Sequence, residues 1–400
     1  MNTLRLAWRY LWARPLGALL NLVLLALGLG SITFLLLVAH QLDSAFERDL
    51  AGIDLVVGAK GSPLQLILSG VLHLDVPTGN VPLAAVQALQ RNPLVAQVIP
   101  MSLGDSVGGF RVVGTSTDYV AHYQVPLAQG QLWSAPMQAV LGADAAQRLG
   151  LGLGAQFAGS HGLGEGGAAH GAHRYTVVGI LAASGTVLDR LVLTDLASVW
   201  AVHEAAHASG AGGQGVQDDD RDITLALLRY RTPLAAVSLP RTINTTTVMQ
   251  AASPAVEITR LLHLLGLGTD VLRAFAAVLL LTAALSVFVA LWSAVRERRG
   301  DLALLRMLGA PPRRIVALLL TEALWLGLMG AALGLAMGQG FALALAHFLQ
   351  LDHNLRLAAL AWPTTLAWVP VLALGVSLGA ALLPALGVYR LQVLALLQER

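Results

Sequence analysis

Two histidines and a glutamate stand at the spacing His203-Glu204-Ala205-Ala206-His207. Wound into a helix, this HExxH pattern puts both imidazoles on one face, where they can hold zinc with the glutamate as general base. It stops short of a complete site, because no third ligand follows at a zincin spacing and the adjoining 205–222 stretch is rich in Gly and Ala. A five-residue pattern with two free positions also recurs by chance where histidine is common. A looser divalent-metal site is the second reading. His161, His170 and His173 fall in a Gly/Ala/His-rich stretch at 158–173. With His203, His207 and the Asp218–Asp220 run they offer imidazole and carboxylate, a donor set suited to zinc, nickel or copper. The plain alternative makes them incidental polar residues of two mobile, solvated insertions at loop tips.

Other chemistry is thinly represented. Lys60 is the only lysine, and Gly58-Ala59-Lys60-Gly61-Ser62 lacks the spacing of a phosphate-binding loop. ATP hydrolysis of that kind must come from another chain. No nucleophile–base arrangement stands out. The absence of cysteine excludes disulfides and thiolate metal sites. A net charge of +2 gives no footprint for a nucleic-acid partner.

The elements that would carry these residues follow from hydropathy. Apolar residues make up 56% of the chain and charged residues 12%, the latter about half the usual share for a soluble protein. Part of the surface must therefore face lipid. Residues 16–39 are 24 in number and uncharged; as a helix they reach ~36 Å, enough for a hydrocarbon core of roughly 30 Å. The run is too long for a cleavable signal peptide. Further spans are expected at 274–295, 315–341 and 364–388, the third broken only by Glu322. Arginines 5, 9 and 14 precede the first span, and Arg296, Arg298, Arg299, Arg306, Arg313 and Arg314 crowd the segment after the second. The positive-inside rule then makes both termini and the 296–314 loop cytoplasmic. Residues 40–273, with 18 acids against 13 bases, lie outside, as does a short loop at 342–363; a tail at 389–400 returns to the cytoplasm.

The expected fold is a four-span α-helical membrane protein with a large α+β extracytoplasmic domain between spans one and two. Strand-like runs at 54–57, 95–99, 110–114, 175–180, 191–194 and 223–230 alternate with helical patterns at 83–89 and 143–149. Residues 256–267 read as a helical stalk towards span two. Residues 1–15 read as an amphipathic helix in the cytoplasmic interface, with Trp8 and Trp12 at headgroup depth among the membrane lipids, or as plain positive flanks of a signal anchor. Gly330, Gly334 and Gly338 in span three, and Gly375 and Gly379 in span four, are spaced for close helix approach, in a tight bundle or at a dimer seam. Glu322 is an intramembrane carboxylate, which calls for a partner or a task, unless it snorkels to the interface with help from Arg313 or Arg314.

One segment is more specific. Arg296-Glu297-Arg298-Arg299-Gly300-Asp301-Leu302-Ala303-Leu304-Leu305-Arg306-Met307-Leu308-Gly309-Ala310, followed by a span with an early glutamate at 322, resembles the signature of MacB/FtsX-type (LolC/E-like) ABC transporter permeases. The opening Leu4-Arg5-Leu6-Ala7-Trp8-Arg9 and Arg14-Pro15 are similar to the family's N-terminus. Val140-Leu141-Gly142 with Ala145-Ala146-Gln147-Arg148-Leu149-Gly150-Leu151 is similar to a stretch of its outer domain. Asp301 departs from the commoner Glu, and Val393 replaces a second C-terminal proline.

The resemblance implies a bacterial inner-membrane permease subunit, not itself an enzyme, that pairs as a homo- or heterodimer and docks a separate ATP-binding cassette subunit. ATP and Mg would act through that partner, and this chain would bind no cofactor apart from a divalent metal at the histidines. Arg298, Arg299, Asp301, Leu302, Leu305, Arg306, Leu308 and Gly309 are the implied ATPase-coupling residues. Relatives transmit motion to an outer domain, for export, for extraction, or to act on periplasmic or lipoprotein partners. The competing class is an ATPase-independent sensor or assembly protein with a metal-binding outer domain.

Overall fold

The structure is a computed structural model that describes residues 3–13, 15–161, 169–208, 221–297, 311–353 and 362–387. The described chain divides into a membrane unit, Met1–Asp43 with Leu265–Arg400, and an outer unit, Ser44–Leu264.

In the membrane unit, α1 (Thr3–Trp12) precedes α2 (Pro15–Leu50). Four helices have the length and apolarity to cross a bilayer, over 15–50, 270–297, 312–348 and 364–386. Leucine, alanine and glycine supply most of each run, and the outward faces remain apolar: Leu281, Phe275 and Trp368 are all more than half exposed. In water such faces would be costly; facing lipid they are expected. The interior packs Leu22, Leu25 and Leu29 of α2 against Ala283 and Val287 of the second span and Ala323 and Leu326 of the third. Helix α1 is a packed element as well. Its Ala7 and Leu11 are buried, and its Trp8 ring meets Trp325 of the third span edge-on, with centroids 5.1 Å apart.

The outer unit is built on a ten-stranded sheet. Its strands are β1 (Leu55–Ala59), β3 (Val95–Val107), β4 (Phe110–Thr115), β5 (Leu127–Gly130), β6 (Gln138–Leu141), β7 (Gln156–His161), β8 (Ala169–Leu181), β9 (Leu191–Asp195), β11 (Leu225–Tyr230) and β12 (Met249–Ala252). The order is β12-β1-β11-β3-β4-β9-β6-β8-β5, and β7 pairs both β3 and β8. Most ladders are antiparallel; β4/β9 and β6/β8 are parallel. A separate two-residue pairing joins β2 (Val81–Pro82) to β10 (Asp222–Ile223).

The central strands are hydrophobic at consecutive positions because both sheet faces are covered. Val56, Val113, Leu191, Leu193, Leu225 and Leu227 point to one face. There they meet α3 (Pro63–Gly70), α5 (Asp118–Tyr123) and the first turns of α9 (Pro254–Glu297). On the other face, Leu55, Val57, Ala226 and Leu228 pack with α4 (Leu83–Gln90) and α8 (Ala235–Thr246). Further along that face, Phe110, Val112, Ala139, Leu141 and Val192 pack with α6 (Ala143–Leu149) and α7 (Leu196–Ala208). The last two long helices are α10 (Pro312–His353) and α11 (Trp368–Gly387).

The expected strands and the helical patterns at 83–89 and 143–149 coincide with observed elements. The insertion at 158–173 does not read as a loop alone. Residues 158–161 end β7 and 169–173 begin β8, and the two strands pair, with Ser160 opposite Ala169. Pairing satisfies the backbone of a stretch whose small side chains gave no strand pattern. The second insertion likewise starts inside α7, which continues to Ala208.

Candidate functional site

The glycine ladder of α10 faces the first span of the same chain. A Cβ on Gly330 would lie 3.1 Å from the Leu25 Cβ, and one on Gly334 would lie 2.6 Å from that of Leu29. At Gly338 the clash is closer, 2.4 Å from the Thr33 Cβ and 2.9 Å from the Gly30 carbonyl oxygen. The two backbones therefore touch, which is the geometry that small residues permit in lipid. Gly375 and Gly379 differ: among the described residues a Cβ at either meets nothing within 4 Å.

Among the described residues, polar groups inside the bundle are few. Glu322 is buried, 4% exposed, on a helix whose Ala323 and Leu326 are core residues. It belongs to the bundle interior, while Arg313 and Arg314 near the start of α10 are exposed. Ser286 of the second span donates to Oδ1 of buried Asn21 in the first at 2.6 Å. Such a pair ties two spans together where no water competes. An asparagine inside a leucine run was the available signal, since an uncharged window conceals it.

Arg298, Arg299, Asp301, Leu302, Leu305, Arg306, Leu308 and Gly309 lie outside the described residues. His203, Glu204 and His207 fall on α7, and His161, His170 and His173 on β7 and β8. Their side chains also lie outside what the structure describes, as does the whole Asp218–Asp220 run.

A polar junction that the sequence did not advertise surrounds the outer end of α2. A bilayer core takes about 20 residues of helix, so the last turns of this 36-residue helix, within Ser44–Leu50, are outside it and belong to the outer unit. Asp49 there is 6% exposed. The Val187 amide donates to its Oδ1 at 2.8 Å, and the Arg190 guanidinium stands 3.9 Å from its Oδ2. Arg48 donates from Nε to the Gly185 carbonyl at 3.2 Å. The Tyr123 hydroxyl donates to the Asp49 carbonyl at 2.7 Å, and His122 Nε2 lies 2.8 Å from the Ala51 carbonyl.

The turn that receives Asp49 is held by its neighbour in sequence order. Asp189 accepts from the Ser184 hydroxyl at 2.9 Å and from the Gly185 amide at 2.8 Å. This closes 184–189 into a fixed loop that presents the Val187 amide. Burial outweighs the opposing Arg190 charge and the Val187 hydrogen bond, and lifts the Asp49 carboxyl to about 6. Burial likewise lowers the His73 pKa, helped by the Arg111 charge. His73 Nε2 lies 3.3 Å from the Tyr119 hydroxyl. Among the described residues no group of three or more His, Cys, Asp or Glu side chains is arranged to hold a metal.

Comparison with known proteins agrees with this architecture. Residues 18–255 match the family model described as MacB-like periplasmic core domain. Residues 273–393 match that described as FtsX-like permease C-terminal. No curated protein matches. Among solved structures, the periplasmic region of MacB from Actinobacillus actinomycetemcomitans is similar at 12% identity, over 54% of this chain and 96% of that one, with a TM-score of 0.34. The extracellular domain of the noncanonic ABC-type transporter YknZ from Gram-positive bacteria is similar at 11% identity, over 50% and 99%, with a TM-score of 0.30. Two family models that between them take in the outer domain and the last three spans place this multi-pass inner-membrane chain in the MacB/FtsX-type ABC transporter permease family.

Proposed function

We propose that this permease has no ATPase of its own and converts ATP hydrolysis by a separate ATP-binding subunit into movement of its outer domain. The observation that carries the reading is the arginine–leucine run 296–310, which lies within the FtsX-like match and opens onto a span with a buried glutamate. Leu302, Leu305 and Leu308 recur at helical spacing and offer an apolar stripe to a partner, while Arg298, Arg299 and Arg306 offer charge to acidic surface. With that run cytoplasmic, the outer unit lies across the membrane, and the continuous helices α2 and α9 are the covalent routes to it. Among the described residues the bundle offers few polar groups for a hydrophilic path, which favours transmission of force over conduction. A second permease copy completes the assembly.

The test is affinity purification of the detergent-solubilised full chain from its native host. A stoichiometric ATP-binding subunit is expected to copurify and to be lost, by at least tenfold, in a Leu305→Ala, Arg306→Asp variant. A stable complex without such a subunit would overturn the reading in favour of an ATPase-independent sensor.

A further inference from the structure

Helix α1 presents four sides, each traced by residues spaced four apart. Ala7 and Leu11 take the buried side, with Leu11 in the bundle core. Leu4, Trp8 and Trp12 follow on the next side and are 48%, 39% and 40% exposed. The two indoles meet edge-on at 5.9 Å, and Trp8 also borders Trp325 of the third span. Arg5 and Arg9 lie beyond the indoles, both exposed, and half-buried Leu6 and Tyr10 complete the circuit. We propose that the Trp8–Trp12 and Arg5–Arg9 sides together form a docking site for anionic phospholipid, with the indoles at the acyl boundary and the guanidiniums on the headgroup phosphates.

The order of these sides selects the occupant. From the bundle outward the helix passes from aliphatic to indole to guanidinium, as a leaflet passes from hydrocarbon through its interface to phosphate. An indole joins an apolar body to a single N–H donor and settles at that boundary. A neighbouring arginine lays its stem along apolar surface and lifts its head to the phosphate plane, where its planar fork matches phosphate oxygens. The charge also goes unanswered within the chain. Helix α1 contains no acid, and among the described residues neither Arg5 nor Arg9 has an ion-pair partner. Exposed Arg313 and Arg314, at the start of α10, have none either. In the outer unit, by contrast, Arg48, Arg111 and Arg190 are each taken up by groups of the chain. An acidic surface on a partner protein would answer the arginines but not the indoles.

On the positive-inside reading the site faces the cytoplasmic leaflet. An arginine near an anionic surface gains roughly fivefold in occupancy at most, and salt screens exposed charge. A preference of at least about twofold for anionic over zwitterionic lipid is therefore expected beside α1. Because Trp8 bears on Trp325, a turn after buried Glu322, lipid held on α1 also steadies the third span there.

The chain has no cysteine, so a single introduced one can carry a fluorophore. Ala13→Cys, at an exposed position just beyond α1, places the label beside the site. Trp368→Cys, at a position 70% exposed at the start of α11, is the reference. The full chain, without any ATP-binding subunit, would be reconstituted in nanodiscs of equal parts phosphatidylcholine and phosphatidylglycerol. Bromine is carried on the acyl chains of one lipid or of the other, so the composition is constant and only the quencher moves. Bromine on phosphatidylglycerol is expected to quench the label at position 13 at least about twofold more than bromine on phosphatidylcholine, and the label at position 368 equally. High salt should bring the ratio at position 13 down to the reference, as should Arg5→Gln with Arg9→Gln, while Arg5→Lys with Arg9→Lys should keep a preference. The salt series uses the parent arginines, so it serves if the glutamine pair does not fold. A ratio equal to the reference, or one insensitive to salt and to the glutamine pair, would overturn the proposal. An equal ratio, joined to loss of a copurifying ATP-binding subunit in the glutamine pair, would overturn it in favour of a protein on that face. A failed ATPase copurification leaves every quenching readout intact.

Discussion

Gly142→Ala is expected to destabilise the outer domain by about 3 kcal/mol, the upper end of overpacking costs. For a domain of this size that lowers its unfolding midpoint by roughly 6–12 °C. The reason is the absence of room. A Cβ on Gly142 would stand 2.1 Å from the Leu188 carbonyl oxygen and 2.5 Å from the Asp189 carbonyl carbon. Both are backbone atoms, so no side chain can rotate away. The Gly142 amide is meanwhile tied to the Leu191 carbonyl at 2.9 Å. Relief must come by shifting the 187–190 turn, which is the turn that grips Asp49. Thermal unfolding of the full chain, followed by hydrogen exchange in β6 and β9, checks the stability loss. Exchange in 183–191 should rise even well below the midpoint. A variant as stable as the parent, with the turn undisturbed, would show that the close approach is not maintained in solution.

The second large effect is expected in the membrane. Gly338→Leu should cost about 1–3 kcal/mol by overpacking, because the new side chain meets Thr33 and the Gly30 backbone rather than lipid. Gly334→Leu should behave alike against Leu29. Gly375→Leu and Gly379→Leu are the controls, since no described residue comes within 4 Å of a Cβ at either. Thermal denaturation in detergent, read by size-exclusion profile, separates the two sets. Equal tolerance of all four would refute the contact between the first and third spans. A change in subunit association confined to the Gly375 and Gly379 variants, with the monomer intact, would put the seam between copies on that face of α11.

The legibility of this chain was uneven for physical reasons. Spans announce themselves because the bilayer demands some 20 consecutive apolar residues, whatever their partners. The buried central strands are legible for a similar cause, as in Leu191–Thr194 and Leu225–Leu228, where β-branched and leucine runs lie between turns. Glycine spacing is weaker evidence, since GxxxG states that a backbone comes close but not which one. Gly338 found Thr33 of the same chain, and Gly379, equally well spaced, found nothing. The two ends of the His-rich stretch, 158–161 and 169–173, were not legible as strands because composition measures local preference, while β7 and β8 owe their pairing to strands formed elsewhere. Gly142 and Gly150, within a stretch that resembles the family's outer domain, bracket α6. The first admits the neighbouring backbone and the second ends the helix at φ +64°. Asp49 was the least visible. An acid after a span reads as a topogenic flank, and the groups that give it another role lie 138 positions away.

The pairing of β7 with both β3 and β8 closes six strands, β3-β4-β9-β6-β8-β7, into a hoop. An open sheet can yield by sliding along its edges or by twisting further, whereas a hoop has no free margin on which to slip. Tension applied at one strand is shared around the circumference. Because β9 follows directly on the 187–190 turn, a tug arriving there would be borne by the ring as a whole.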